Sequence, residues 1–231
     1  MGIGINAAAI AIGCYWGSKI KYFNTDKLNR TFGIGIIVIS LVGFFENIYF
    51  VQNGDLVSNN LIVILLTYLL GSIVGDKLNL DSKLSVLGNT KNTMVNGLID
   101  TTLLFGIGGL QISGPMLLAL QSDNSQLLLK SLIDFPLALA AGAAYGKVSV
   151  LSAIPVAVTQ ILIATIVSLC ADLFNADMIM QLCALGYLIL FFSGFNLLTD
   201  KQHKINNIGM LPGMLLIILY NTVLWLAEEL L

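Results

Sequence analysis

The stretch Lys130-Ser131-Leu132-Ile133-Asp134-Phe135-Pro136 carries an ammonium group, a carboxylate and a proline inside a long apolar run. The small-residue segment 138–146 follows it, so the surrounding pattern is that of a helix that crosses a membrane. A charged side chain at the centre of such a helix costs about 2.5–3.5 kcal/mol on insertion scales. The sequence therefore predicts either a partner for these charges or a polar space beside them.

The composition of the whole chain excludes a water-soluble domain. Of the 231 residues, 57% are hydrophobic and 10% are charged, and the mean hydropathy is +0.89. A soluble domain carries roughly a quarter charged residues. The net charge of −2 gives no reason to expect nucleic acid as a partner. Neither a metal site nor another cofactor is expected, because the cysteines lie far apart without metal-ligand spacing: Cys14, Cys170 and Cys183.

The apolar segments predict an all-α fold, a single polytopic bundle of transmembrane helices surrounded by the lipid bilayer. A crossing needs about 20 predominantly apolar residues. Eight segments approach or reach this length, at 2–18, 32–51, 59–76, 94–112, 126–146, 149–171, 178–198 and 207–227. The first is expected to be a span and not a cleaved signal, since no basic residue precedes it.

Basic residues set the expected orientation of these eight spans. Ten of the eleven follow the first, third, fifth and seventh spans: Lys19, Lys21, Lys27, Arg30, Lys77, Lys83, Lys91, Lys147, Lys201 and Lys204. The alternate loops contain acidic residues but neither lysine nor arginine. Because lysine and arginine are enriched in cytoplasmic loops, both termini are predicted to lie on the outer side.

Three pairs of glycines recur near the inner ends of the odd-numbered spans. Their members are Gly13 and Gly17, Gly71 and Gly75, and Gly142 and Gly146. Glycines four residues apart share one helix face and let a neighbouring backbone approach closely. The pattern predicts tightly packed helix ends, with a narrow gate as the alternative. The same faces would also suit a homo-oligomer.

Lys130 and Asp134 share one face of the fifth span because they are four residues apart. One interpretation is an internal salt bridge that fixes helix packing. In the other, Asp134 lines a polar route, as a cation site or a protonatable group, with Ser131 beside it. Lys130 is shallower and is expected to be able to snorkel outward. Pro136 removes a backbone donor, so the carbonyl that it frees is a further candidate ligand.

Single polar residues interrupt several other spans. Asn6 lies in the first, Gln160 in the sixth, Asn196 near the inner end of the seventh and Asn221 in the eighth. A lone amide in a membrane helix usually bonds another helix, which contributes roughly 0.6–2 kcal/mol. Helix association and contact with a solute both stay open for each amide. Asp100, near the inner end of the fourth span, is either an interfacial anchor or a further member of the route.

The remaining motifs give no support to catalysis. Segment 111–125 is expected to be an outer surface loop, with a segment that dips into the membrane as the alternative, since its apolar run 116–120 is too short to span. The glycines at 106–109 do not form a dinucleotide fingerprint, because no strand precedes them. His203 is expected to be solvated among lysines. An enzyme is therefore not expected.

Several segments are similar to a known family. They are GINAAAIAIGCYWG at 4–17, NGLIDTTLLFGIGG at 96–109, LKSLID at 129–134, LSAIP at 151–155 with Gln160, GFNLL at 194–198, and residues 207–212. In this collinear order the chain resembles the domain of unknown function 554 family, the YdfK-type multi-pass membrane proteins of bacteria. Phe135-Pro136 and Asp100 depart from the family's pattern. The resemblance implies a bacterial cytoplasmic (inner) membrane location and adds little about activity.

The sequence favours a transporter or channel for a small solute or ion. Asp134 and Lys130 would line its route, Pro136 and Pro155 would break helix regularity, and amides would supply polar contacts. The alternative is a membrane scaffold or sensor that binds another membrane protein or lipid through the glycine faces, without transport.

Overall fold

A computed structural model of the chain describes residues 1–20, 25–52, 55–58, 60–80, 82–83, 93–106, 108–199 and 205–230. Helices account for most of this part. They are α1 Gly2–Gly17, α2 Thr25–Ile48, α3 Leu61–Lys77, α4 Thr93–Gly106, α5 Gly109–Gln121, α6 Ser125–Tyr145, α7 Ala153–Leu169, α8 Ala176–Leu198 and α9 Pro212–Leu230. A short antiparallel hairpin, β1 Tyr49–Gln52 and β2 Asp55–Ser58, joins α2 to α3. The second predicted span, placed at 32–51, therefore ends as a helix at residue 48.

An all-α bundle of membrane type fits the structure. In the described residues, four helical stretches are long and apolar enough to cross a membrane, or five if a bent pair forms one crossing. One of the four, Ser125–Leu169, covers the fifth predicted span and most of the sixth, and the shorter apolar helix Gly2–Gly17 matches most of the first. The number of eight crossings and the outer side of both termini stay predictions. Lys21, Lys91, Lys201, His203 and Lys204 lie outside the described residues.

Helix α8 is the central element of the bundle. Of its most apolar window, 67% is buried, against 28% for each of the other three long stretches. It packs against α2 along one side, where Gly43 approaches the ring of Tyr187 and Gly33 approaches Gly194. These contacts run in opposite directions along the two helices, so α2 and α8 are antiparallel. A large apolar core joins α8 to α5, α7 and α9.

Helices α1 and α6 pack with their backbones in close approach. Gly13 and Gly17 lie against the backbone of α6, and Gly142 lies against the backbone of α1 at Cys14. A methyl group at any of the three would collide with main-chain atoms, so glycine is required by the packing. The amide of Gly2 meets Asn124 just before α6, so the two helices start together and run parallel.

Helices α3 and α9 form a second contact of the same kind. Gly71 lies against Gly213, and Gly75 lies against Gly209 in the turn before α9. The glycine pairs of α1 and α3 thus pack in two separate helix pairs and not against each other. Gly146 differs from the rest: a methyl group there would meet nothing within 4 Å, but its φ of +71° lies in the left-handed region. This glycine ends α6 and contributes no helix face.

The chain reverses between α6 and α7. A 3-10 turn at Gly146–Ser152 leads into α7, which begins at Ala153. Pro155 lies in the first turn of α7, where a helix has no backbone donor to lose. Pro155 therefore does not interrupt α7 itself, and the irregular part of the predicted span 149–171 is the 3-10 turn that precedes it. Pro136 lies inside α6, which continues through it to Tyr145.

The fourth predicted span is broken. Instead of one helix at 94–112, α4 ends at Gly106 and α5 starts at Gly109 with a bend of 58°. The expectation of a surface loop at 111–125 is also wrong, because α5 is helical and its residues from Gly109 to Leu117 are mostly buried. Gly109 packs against the backbone of Gly186 in α8, and this close approach fixes the start of α5.

Candidate functional site

The two charges of the fifth predicted span form a buried ion pair on α6. Lys130 Nζ lies 2.7 Å from Asp134 Oδ2, and the two side chains are 8% and 6% exposed. The expected ability of Lys130 to snorkel outward is not realised, because its ammonium turns along the helix toward the carboxylate. An ion pair so enclosed is costly to desolvate and needs further hydrogen bonds on both partners.

The first of these bonds comes from the break between α4 and α5. Lys130 Nζ donates to the carbonyl oxygen of Phe105 over 2.9 Å. Phe105 belongs to the last turn of α4, where carbonyls have no partner within the helix and carry partial negative charge. The ammonium group thus lies between a carboxylate and the negative end of a half-helix.

Asp134 also receives a bond from α1. Asn6 Nδ2 donates to Oδ2 over 2.8 Å, so this oxygen accepts both bonds. The other oxygen, Oδ1, accepts no hydrogen bond from the described residues. It is not fully enclosed by the protein. Since Asp134 lines a cavity, Oδ1 is the oxygen available to whatever fills it.

A chain of amides continues from Asn6 across three further side chains. Gln160 Nε2 donates to Asn6 Oδ1 over 3.0 Å and to Gln111 Oε1 over 2.9 Å. Gln111 Nε2 then donates to Thr159 Oγ1 over 2.7 Å. The network thus connects α6, α1, α7 and α5. Gln160 Oε1 is buried without a partner in the described part of the chain.

A cavity of about 260 Å³ lies beside the ion pair. We call it the Asp134 cavity. It has room for several water molecules, since one needs on the order of 10–15 Å³ by this measure. Its wall combines the ion pair with neutral polar groups and aliphatic side chains. The polar members are Gln111, Lys130, Asp134, Ser193, Asn196 and Asn207.

A second pocket lies toward the start of α6. It has a volume of about 280 Å³ and is lined by Glu46, Asp123, Gln126 and Tyr187, among others, without a lysine or arginine from the described residues. We call it the Glu46 pocket. Gln126 precedes Lys130 by four residues, as Lys130 precedes Asp134, so one face of α6 leads from this pocket to the Asp134 cavity.

One cluster of apolar side chains reaches both spaces. Its buried members are Ile36, Leu110, Ile133, Tyr187 and Leu190. Four of them line the Asp134 cavity, while Tyr187 lines the Glu46 pocket. Helices α2, α5, α6 and α8 thus contribute to one apolar cluster that lines both spaces.

The other residues predicted for the route lie at varying distances from the cavity. Asn196 lines it. The side-chain Nδ2 of Asn196 donates to the carbonyl oxygen of Ile205, and its Oδ1 accepts from the backbone amide of Ile205. Asn6 and Gln160 lie behind its wall, connected to it through Asp134 and Gln111. Ser131 Oγ donates to a carbonyl of its own helix, over 2.7 Å.

Pro136 and Asp100, like Ser131, Asn6 and Gln160, do not line the cavity. Pro136 is buried within α6 and is absent from the cavity wall. Asp100 is exposed and interacts with Tyr145, so the structure places it apart from the buried pair. Asn221, treated as a candidate for helix association, donates to Gln181 over 2.8 Å and joins α9 to α8.

Sequence reasoning missed several members of the site: Ser193 and Asn207 on the cavity wall, Gln111 and the carbonyl of Phe105. The apolar pattern places Gln111 at the start of a loop. A glutamine that follows three glycines within four residues and precedes Pro115 nevertheless signals a broken helix in a membrane chain. The carbonyl of Phe105 carries no signal at all, because every residue has one.

The fold and the site define a helical membrane protein with a paired charge in its interior. The model of the DUF554 family, described as proteins of unknown function, matches residues 1–222, and the chain belongs to this family. The chain is also similar to the uncharacterized membrane protein YdfK of Bacillus subtilis (strain 168), with 27% identity over 157 residues, which are 67% of this chain and 68% of that protein. No solved structure matches.

Proposed function

We propose that the protein moves a small solute or ion across the bacterial cytoplasmic membrane, along a route past the polar face of α6. The observation that carries this proposal is the ion pair of Lys130 and Asp134 on the wall of the Asp134 cavity. A pair that served packing alone needs no adjoining space, and apolar residues of similar volume often replace such pairs without loss of stability.

The two spaces along α6 support the same proposal. The Glu46 pocket and the Asp134 cavity lie in sequence along one helix face, and we interpret the apolar cluster that reaches both as a barrier between them. A transporter that exposes its site to one side at a time needs such a barrier, and so does a closed channel. With the predicted orientation, the Glu46 pocket faces outward and the cavity extends toward the cytoplasmic ends of the helices.

The broken helix adds a third argument. Discontinuous helices in transporters present unpaired carbonyls and helix ends at the substrate site. Here α4 ends beside the ion pair, and its Phe105 carbonyl already binds a cation, the Lys130 ammonium. Irregular backbone at membrane depth is tolerated where it is enclosed by protein or lines a cavity. Gly108 and Gly109, at the break, line the Asp134 cavity.

The scaffold alternative depends on free glycine faces. Gly13, Gly17, Gly71, Gly75 and Gly142 all contact helices of the same chain. No specific observation therefore favours it, and we do not propose it.

The test is transport by purified protein in liposomes. Fluxes of protons, monovalent cations, anions and small metabolites are measured for the wild type, for Asp134→Asn and for the exposed control Asp172→Asn. We expect at least one solute whose flux falls by tenfold or more in Asp134→Asn and is unchanged in Asp172→Asn. Equal fluxes in all three proteins for every solute would remove the proposal.

A further inference from the structure

We propose that Asp134 and the carbonyl of Phe105 form a binding site for a small monovalent cation, which the Lys130 ammonium occupies in this structure. The inference deepens the proposed function, on which it rests, by naming the class of solute. Lys130 is then a tethered competitor: a free cation enters when the ammonium leaves, and the ammonium returns when the cation departs.

The oxygen ligands carry the first step of the argument. Nζ lies 2.7 Å from Asp134 Oδ2 and 2.9 Å from Phe105 O, so one cationic group already bridges a carboxylate and a main-chain carbonyl. Hard cations take ligands of these two types. Asp134 Oδ1, which accepts no bond from the described residues, provides a further ligand, and the cavity beside it has room for water as another.

The charge balance gives the second step. With Lys130 displaced, Asp134 leaves one negative charge in the site. The remaining polar groups on the wall are the amides Gln111, Asn196 and Asn207 and the hydroxyl of Ser193, all neutral. One negative charge together with the negative end of α4 matches a single positive charge. A Ca²⁺ ion takes about 6–8 oxygen ligands, often from several carboxylates, and this site supplies one carboxylate.

The same geometry disfavours an anion. The only basic group on the described cavity wall is Lys130, and two of its three protons already bind oxygens. An anion would have to approach it beside the carboxylate of Asp134. The Glu46 pocket also favours a cation over an anion, since its lining includes Glu46 and Asp123 but no basic residue from the described part of the chain. Acidic walls raise the local concentration of cations.

Removal of the tether tests the site directly. Full-length Lys130→Gln is purified in detergent, and its melting temperature is measured against increasing LiCl, NaCl, KCl or NH4Cl. N-methylglucamine chloride keeps the ionic strength constant. We expect a saturable rise with at least one cation, of about 3–6 °C at ten times its dissociation constant. The double variant Lys130→Gln/Asp134→Asn and the exposed control Lys147→Gln should show no such rise.

A folded Lys130→Gln variant that no monovalent cation stabilises would overturn the proposal, as would equal shifts in the single and double variants. If Lys130→Gln folds only in one of the alkali or ammonium salts, that requirement supports the site. If Lys130→Gln folds in none of these salts, the test is made on the wild-type protein. Acetylation of Lys130 by acetic anhydride, followed by mass spectrometry, should rise severalfold in the displacing salt relative to N-methylglucamine. Unchanged acetylation would contradict the proposal.

The results separate this inference from transport itself. Flux of an anion or neutral solute that depends on Asp134, without cation binding, would refute the cation site and leave the proposed function intact. Cation binding without flux of any solute would support the cation site and refute the proposed transport function.

Discussion

Two interfaces of this molecule use the same packing device and differ in what else they bury. The contact of α1 with α6 and the contact of α3 with α9 are both held by glycines whose Cα atoms face a neighbouring backbone. Only the first encloses charges and a chain of amides. At the second, the buried hydroxyl of Thr67 bonds carbonyls of its own helix. Close packing of two helices therefore does not require buried charge, and the α1–α6 interface carries something additional.

The largest expected effect comes from removal of one charge. Lys130→Met leaves the Asp134 carboxylate buried without its cation, so we expect the free energy of unfolding to fall by about 3–5 kcal/mol. The double variant Lys130→Met/Asp134→Leu should recover most of this loss and still fail to transport. Unfolding in denaturant and flux in liposomes measure the two quantities. A stable double variant with normal flux would show that the pair serves packing alone.

Glycine substitutions should affect both interfaces alike. In Gly17→Ala and Gly75→Ala the new methyl group meets backbone, of Leu139 and Gly209 respectively, and we expect each to lose about 1–3 kcal/mol of stability. Gly4→Ala and Gly35→Ala are matched controls, because nothing lies within 4 Å of their methyl groups. Thermal unfolding compares the four variants. Stability losses confined to one interface would mean that the two contacts are not equivalent.

Amide substitutions should distinguish the α1–α6 interface from the neighbouring contact of α9 with α8. Asn6→Leu and Asn221→Leu each remove a buried interhelical bond, so we expect both to lose about 1–2 kcal/mol of stability. Only Asn6→Leu removes a partner of Asp134 and should lower the flux. If Asn221→Leu lowers the flux by as much, the effect reports general loosening of the bundle.

The sequence predicted the ion pair as one of two interpretations because its spacing is local. Residues four apart on a helix meet whatever the fold, so the pairing of Lys130 and Asp134 needed no tertiary information. The sequence also predicts that Asn6 and Gln160 each either bond another helix or contact a solute. These two residues are 154 positions apart in the chain, and they bond each other across two helices. A single sequence gives no signal that they are partners.

The break between α4 and α5 shows the opposite case. Hydropathy measures how apolar a segment is, and two short helices at an angle score as one long helix does. The bend depends on the contact of Gly109 with Gly186 and on the burial of Met116 and Leu117 against α8, which are tertiary facts. The surface loop expected at 111–125 and the missed Gln111 both follow from this one error.

Access of water to the wall beside Asp134 tests the central claim most directly. Cys14, Cys170 and Cys183 are first replaced by alanine, and single cysteines are placed on α6 at Leu137, which lines the Asp134 cavity, or at Leu132, which is 73% exposed on the outer surface of the bundle. Liposomes carrying each variant are treated with a small charged methanethiosulfonate on either side. We predict that Leu137→Cys reacts and that Leu132→Cys, against lipid, does not. A Leu137→Cys variant that is inert from both sides would contradict the account.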